Sequence, residues 1–346
     1  MRGDNVAFLN NTKKFLDEIF FPYLKSNNIK TVIHLGDLVD RRKYINAYTA
    51  SRLVTDYFEP LFDLGVNYHQ LLGNHDCYYK NTNEISIVNE LMYKYITEGS
   101  GWKIYDNAED IVIDGEKILL LPWICQDNKE QSYEKIKQST SNICMGHLEI
   151  EGFEMYKGSM VSHGESRKIF DKFDITLSGH YHHRSNDGCI FYLGSHAQFT
   201  WSDYNDDRGF HSFNTKTRDL TFIENPFRMF EKIFYNDGDK TLNDILNIDF
   251  SKYNGTICRV IVQNKNNPYW FDIFCDTLEK TGILNMQIVD DHLNIGIIED
   301  NEIITTTEST IQTFDKYIEQ LNTKDVSKDR LKETFFRLYN RAMSIS

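Results

Sequence analysis

Several features that mark common protein classes are missing from this sequence. Six cysteines (Cys77, Cys125, Cys144, Cys189, Cys258, Cys275) are scattered and form no CxxC pair. That argues against a disulfide framework or a thiolate zinc site, and for a reducing, cytosolic compartment. No apolar run reaches the ~18 residues of a membrane span, so no membrane association is expected. Met1-Arg2-Gly3-Asp4-Asn5 has none of the apolar character of a signal peptide. Positive charge is scarce: 38 Lys and Arg stand against 51 Asp and Glu, a net charge of −13. The densest basic cluster is Arg41-Arg42-Lys43, and no basic stripe is seen. Either the substrate is small, or nucleic acid is gripped mainly by a partner. There is no internal repeat and no low-complexity tract. With 346 residues, the chain is long enough for two domains and a sizeable core.

What is present is a set of polar residues placed just after short apolar runs. Thr31-Val32-Ile33-His34-Leu35 runs into Gly36-Asp37-Leu38-Val39-Asp40, and the run 66–72 into Gly73-Asn74-His75-Asp76. Ile143-Cys144-Met145 leads to Gly146-His147, and Ile175-Thr176-Leu177-Ser178 to Gly179-His180-Tyr181-His182. Each run has the length and β-branched content of a buried strand. A glycine then lets the backbone turn sharply. The side chains that follow project from the carboxyl end of a sheet, where open α/β sheets hold ligands. One Asp, one Asn and three His arriving there suit a divalent metal such as Mn²⁺, Fe²⁺ or Zn²⁺.

The spacing predicts amphipathic helices over 5–27 and 46–64, so the opening reads helix, strand, helix, strand: a parallel layer. Pro22 is expected to kink or end the first helix. Further helices are expected at 83–96, 127–138 and 166–171. Strands are expected at 102–105, 110–113, 117–121, 189–193, 209–214 and 219–223, with 153–164 irregular. The pattern breaks at Asn225-Pro226-Phe227. Beyond it a small α+β unit is expected, with strands at 230–235, 256–262, 284–289 and 293–298 and a helix at 269–280. Helices at 307–322 and 327–343 close the chain. Their apolar stripes pack on the chain's own core or dock a partner.

The ordered set GDxxD, GNHD, GH and GHxH resembles the calcineurin-like metallophosphoesterases. That resemblance implies an α/β fold, a two-sheet β-sandwich flanked by helices. It also implies two divalent metals, Mn²⁺ first and Fe, Zn or Mg as alternatives. Asp37 would bridge them. Asn74, His147 and His180 match the ligands of one metal, and His182 a ligand of the other. His75 matches the residue that stabilises the phosphoryl group or protonates the leaving oxygen. Asp40 matches the residue that orients it, with Asp76 the competing candidate. Arg41 matches a phosphate-contacting arginine, though it reads better as a surface residue. His163 could lie near the site. His34, His69, His183, His196, His211 and His292 read as structural.

More narrowly, Gly36-Asp37 with Arg42-Lys43, Leu121-Pro122-Trp123-Ile124-Cys125, Ser162-His163-Gly164 and the two histidine motifs look like the SbcD-type nuclease subunits of T-even-type phage recombination endonucleases. This implies residues 1–225 as the nuclease domain, 226–300 as a DNA-facing cap, and 301–346 as helices that dock an SbcC-like SMC-type ATPase. DNA would be the substrate, a homodimer is possible, and a phage-encoded chain would work in the host cytoplasm. The family's first motif, a strand ending in Asp-x-His, is not found. The chain is therefore expected to lack about a dozen N-terminal residues, including a core strand, to bind one metal well and the second poorly, and to be impaired in catalysis. The alternatives are a small-substrate phosphatase or cyclic-nucleotide phosphodiesterase, and a non-catalytic binding subunit.

Overall fold

The computed structural model of the chain describes residues 4–290 and, beyond them, Ser327, Lys328, Arg330, Lys332 and Thr334. Its packing divides it into two units, Met1–Asn294 and Ile295–Ser346, and the first holds all the motifs. The strand expected at 293–298, the helix expected at 307–322 and His292 lie outside the described residues. Of the helix expected at 327–343, Lys328, Arg330, Lys332 and Thr334 are helical.

The two opening helices each cross a proline by the same device. The first is Val6–Phe15, a π-helical turn Leu16–Phe20, and then Phe21–Ser26. The second is Ala47–Leu53, a π-helical turn Val54–Phe58, and Glu59–Asp63. Pro22 and Pro60 lack an N–H, and their rings crowd the carbonyl four residues back, that of Glu18 or Asp56. Both of those residues sit in the wider π turn, which gives the ring room. Pro22 therefore does not end its helix. The third helix is shorter than its periodicity suggests, spanning Ile87–Met92. Upstream, the Asn83 amide donates to the carbonyls of Asp106 and Trp123, holding that segment as a loop. Ser86 caps the helix instead, and Ile85 stays exposed.

Three parallel strands form the first sheet: β1 (Thr31–His34), β2 (Asn67–Leu71) and β3 (Trp102–Tyr105), in that order. The second sheet contains β4 (Glu109–Ile113), β5 (Glu116–Leu121), β6 (Ile143–Gly146), β7 (Ile175–Ser178) and β8 (Ile190–Tyr192) as successive neighbours. Ser185–Asn186 pairs antiparallel beyond β8. Strands β5 to β8 are parallel, and β4 joins antiparallel at the other edge. Ile118, Leu120, Ile143, Met145, Ile175 and Leu177 point from the second sheet toward Leu71 and Tyr105 of the first, making the centre of a sandwich. Burying each such side chain is worth about 1.5–3 kcal/mol. On the outer faces, the first two helices cover the first sheet, and Ile136, Phe153 and Phe170 cover the second. The segment expected as irregular contains a small hairpin, Glu154–Tyr156 with Ser159–Met160.

A separate hairpin, β9 (Gly209–Phe213) with β10 (Leu220–Glu224), stands beside the first sheet. Among the described residues β1 pairs only with β2, and β9 only with β10. Between them lies a cavity of about 730 Å³, walled by Phe15, Ile33, Leu35, Met145, Leu177 and Phe210 and reaching Asp37, His75, His180 and His182.

After residue 225, β11 (Phe230–Asn236), β12 (Ile257–Asn264) and β13 (Asn285–Asp290) make a sheet of their own, parallel throughout. Helix Pro268–Lys280 packs Phe271, Phe274 and Leu278 against Tyr235 and Val260. The sheet is joined to the body by Phe8, Met229 and Phe230 with Phe199 and Trp201, and by Gln198 Oε1, which accepts the N–H groups of Met229 and Phe230.

The loop before β9 is held by one buried cation. Arg208 is 1 % exposed and pairs with Asp203 and Asp206, each at 2.8 Å. Removing one member of such a group strands an uncompensated charge. Arg208→Met is expected to lose about 3–5 kcal/mol of unfolding free energy in urea titrations, whereas Arg228→Met, at a more exposed pair, costs under about 1 kcal/mol.

Candidate metal centre

Four chain ends meet at the carboxyl edges of β1, β2, β6 and β7. Two glycines let them meet. A Cβ on Gly73 would lie 2.2 Å from Asp37 Oδ1, and one on Gly36 2.4 Å from His147 Nδ1. Gly36 also has φ +92°, and Asp37 follows at φ +55°. His180 sits at φ +77°. Two non-glycine residues in the left-handed region at one site are costly conformations, of the kind found where function holds the backbone.

The carboxylate of Asp76 fixes the first two loops to each other. It accepts the N–H groups of Asp37 and Gly73 at 2.8 Å and of Val39 at 3.2 Å. Asp76 is fully buried, and burial and the neighbouring Asp37 charge push its acid up to about 7. It is a loop tie, not the partner of His75. His75 N–H donates to Asp37 Oδ1 at 2.8 Å, locking the second motif onto the first from the other direction.

The cluster itself consists of acceptors. His147 is fully buried and its Nδ1–H donates to the Leu35 carbonyl at 2.7 Å, which leaves Nε2 as a bare lone pair. Asn74 Oδ1 lies 3.0 Å from that Nε2 and 3.1 Å from His180 Nδ1. Asp37 Oδ2 is 3.3 Å from His147 Nε2. The far nitrogen of His180, Nε2, is 4.0 Å from Glu149 Oε1, a carboxylate that also stands 3.2 Å from His163 Nε2. The His180 imidazole in turn holds Glu149 below the usual carboxylate range. Asp37, His147 and His180 can present ligand atoms all within 4.8 Å of one another. Such spacing fits four ligands each about 2.0–2.2 Å from one divalent cation. Trp123 walls the cluster, its ring centroid 5.3 Å from that of His180.

The remaining expected residues fall differently. His182 is outside this cluster. It is half-buried, packs on Tyr156 and Phe199, lines the cavity beside β1, and has an Nδ1 with no hydrogen-bond partner. Among the described residues His182 belongs to no cluster of three side chains able to hold a metal ion. His75 Nδ1–H donates to the Asp40 main-chain carbonyl at 2.6 Å, so the backbone of Asp40 orients the ring. Arg41 lies on the surface, its exposed guanidinium 3.9 Å from Asp4 and near the Tyr44 ring. His163 is half exposed and reaches the centre only through Glu149.

Of the histidines read as structural, His34 meets Gln70, His69 meets Tyr105, His183 meets Asp206 and His196 meets Thr12. His211 has a buried Nδ1 with no partner. Sequence reasoning missed Glu149, two residues after His147. Nothing in a run of residues shows which carboxylate will face a ring nitrogen from another strand.

Residues 3–184 match the calcineurin-like phosphoesterase family. Over 240 residues the chain is 35% identical to exonuclease subunit 1 of enterobacteria phage T4, an alignment covering 69% of this chain and 67% of that protein. Over 155 residues it is 30% identical to the SbcD subunit of nuclease SbcCD from Staphylococcus epidermidis, covering 42% and 37%.

Burial pulls His147 down, but Asp37 outweighs it and raises the imidazole above its ordinary value. Burial lowers His180. His147 is therefore the group whose proton competes with metal as the pH falls. Mn²⁺ affinity is expected to be highest above the raised His147 value and to fall roughly tenfold per pH unit below it. Calorimetric titrations across a pH series check this, and an affinity indifferent to pH would contradict the ligand set.

Proposed function

The chain belongs to the calcineurin-like phosphoesterase family, and on that premise we propose that it is the DNA-cleaving subunit of an SbcCD-like ATPase–nuclease complex, a Mn²⁺-dependent exo- and endonuclease. The observation that carries the reading is the cluster of Asp37, Asn74, His147 and His180. It brings a carboxylate, an amide and two imidazoles close enough for their ligand atoms to share one divalent cation. The nuclease reading is supported by likeness to an exonuclease subunit and to a subunit of nuclease SbcCD.

When bound, a divalent cation supplies a polarised phosphoryl oxygen and a water of lowered pKa. The chain's own part is positioning and proton transfer. His75, tied by its main-chain N–H to Asp37 and by Nδ1–H to the Asp40 carbonyl, keeps Nε2 as the nitrogen that can give a proton to the leaving oxygen. Its place is set by the Asp37 carboxylate, which would also hold a bound metal, so the proton donor is fixed to the ligand cluster. The buried surroundings of the cluster exclude water and strengthen each charge interaction.

Residues 226–300 would form the DNA-facing cap and 301–346 the helices that dock the ATPase partner. The partner would carry much of the DNA grip, which accounts for a net charge of −13 on a DNA-cleaving chain. A strand carrying the Asp-x-His pair that the resemblance implies would fit the cavity between the open edges of β1 and β9, next to His182. It would join both sheets and add ligands for a second metal.

Three measurements test this reading. As it stands, the chain is expected to take up one Mn²⁺ tightly, and two tight sites in calorimetry would refute the ligand count. Extension by an Asp-x-His strand is expected to add the second site and to restore Mn²⁺-dependent degradation of linear DNA, stimulated by an SbcC-like partner and ATP. Turnover of p-nitrophenyl phosphate without DNA cleavage would favour a small-substrate enzyme. In the restored chain His75→Ala is expected to cut cleavage by about 10²–10⁴-fold with Mn²⁺ affinity unchanged, while Asp40→Ala, which keeps the carbonyl, loses far less.

A further inference from the structure

We propose that Arg42 is a phosphate-binding residue whose guanidinium is released to the substrate when metal binds, through the amide of Asn74; this deepens the phosphodiesterase reading and rests on it. The amide stands between two claimants. Its oxygen faces Nε2 of His147 and Nδ1 of His180, both acceptors, at 3.0 and 3.1 Å. Its nitrogen faces Arg42 Nη2, a donor, at 3.2 Å. Without a cation both sides of that arrangement repel. Turning the amide over repairs both. The nitrogen then donates toward His147, His180 and Asp37 Oδ2, and the oxygen accepts from Arg42.

A cation reverses the preference, because it needs the oxygen. Asn74 then has only donors to offer on the Arg42 side, and a guanidinium has no acceptor atom of its own. Arg42 is left seeking an anion. Among the described residues it makes no ion pair, and its Nη1 is buried with no hydrogen-bond partner. The neighbouring cations are engaged otherwise: Arg41 with Asp4, and Lys43 over the Tyr78 ring. A diester phosphate drawn to the adjacent metal brings two non-bridging oxygens that share one negative charge, the acceptor pair that a guanidinium fork matches. Metal and Arg42 thus compete for one amide oxygen, so each weakens the hold of the other until phosphate arrives.

Reciprocity makes this measurable without turnover. Mn²⁺ is titrated calorimetrically into the unsubstituted chain, Arg42→Met, Arg42→Lys and, as a control of equal charge, Lys43→Ala. Binding of a short fluorescein-labelled phosphorothioate oligonucleotide is then followed by anisotropy with and without Mn²⁺. Arg42→Met is expected to bind Mn²⁺ severalfold more tightly than the unsubstituted chain, and to lose on the order of 10- to 100-fold of its oligonucleotide affinity when Mn²⁺ is present. Arg42→Lys keeps the charge without the fork and recovers part of that affinity. Lys43→Ala leaves Mn²⁺ affinity unchanged. Unchanged or weaker Mn²⁺ binding in both Arg42 variants, with melting temperatures like the unsubstituted chain, overturns the coupling. Undiminished oligonucleotide binding in Arg42→Met overturns the phosphate role. Absence of Mn²⁺ binding in the unsubstituted chain is a different result: it removes the phosphodiesterase reading itself.

Discussion

A single buried carboxylate, Asp76, holds the centre together. Three main-chain N–H groups from two loops, those of Asp37, Val39 and Gly73, converge on it. Leaving any of the three donors unsatisfied in the interior would cost about 1–3 kcal/mol. That fixes the turn after β1 against the turn after β2. Asp37, in its unfavourable left-handed conformation, is thereby held with one oxygen on the His75 N–H and the other toward His147. Against the burial that would push it up, the neighbouring His147 imidazole keeps Asp37 well below the usual carboxylate range.

The sandwich supplies the rest of the geometry. Parallel strands bring all their carboxyl ends to one edge, so β1, β2, β6 and β7 deliver their following residues to one place whatever the distance in sequence. His147 comes from 112 residues beyond Leu35, yet its Nδ1–H closes on that residue's carbonyl. This single bond chooses the tautomer and turns Nε2 inward. The cluster is thus a product of sheet order and two hydrogen bonds to main chain as much as of its ligands.

The same edge-on geometry explains the cavity beside β1. A strand with unused N–H and C=O groups is ordinarily paired or covered. Among the described residues the open edges of β1 and β9 face each other across an apolar gap that ends at the buried, unpartnered Nδ1 of His182. The apolar walls and the orphaned nitrogen suit the alternating side chains of a strand with a polar end.

The fold family and the identity of Asp37, Asn74, His75, His147 and His180 as the residues at strand ends could be read from the chain alone. Apolar runs of strand length followed by glycine are local patterns, and local patterns survive without three-dimensional knowledge. The two long opening helices were legible for the same reason. Their passage through Pro22 and Pro60 was not, because whether a proline breaks a helix or widens one turn depends on what the apolar face packs against. The tertiary structure alone decided which group orients His75, which arginine meets the amide of Asn74, that Asp76 ties loops together, and that Glu149 stands behind His180. Those choices rest on contacts of a few ångströms between segments tens of residues apart, and adjacency in sequence, as with Arg41 and Arg42, says nothing about which side chain turns inward.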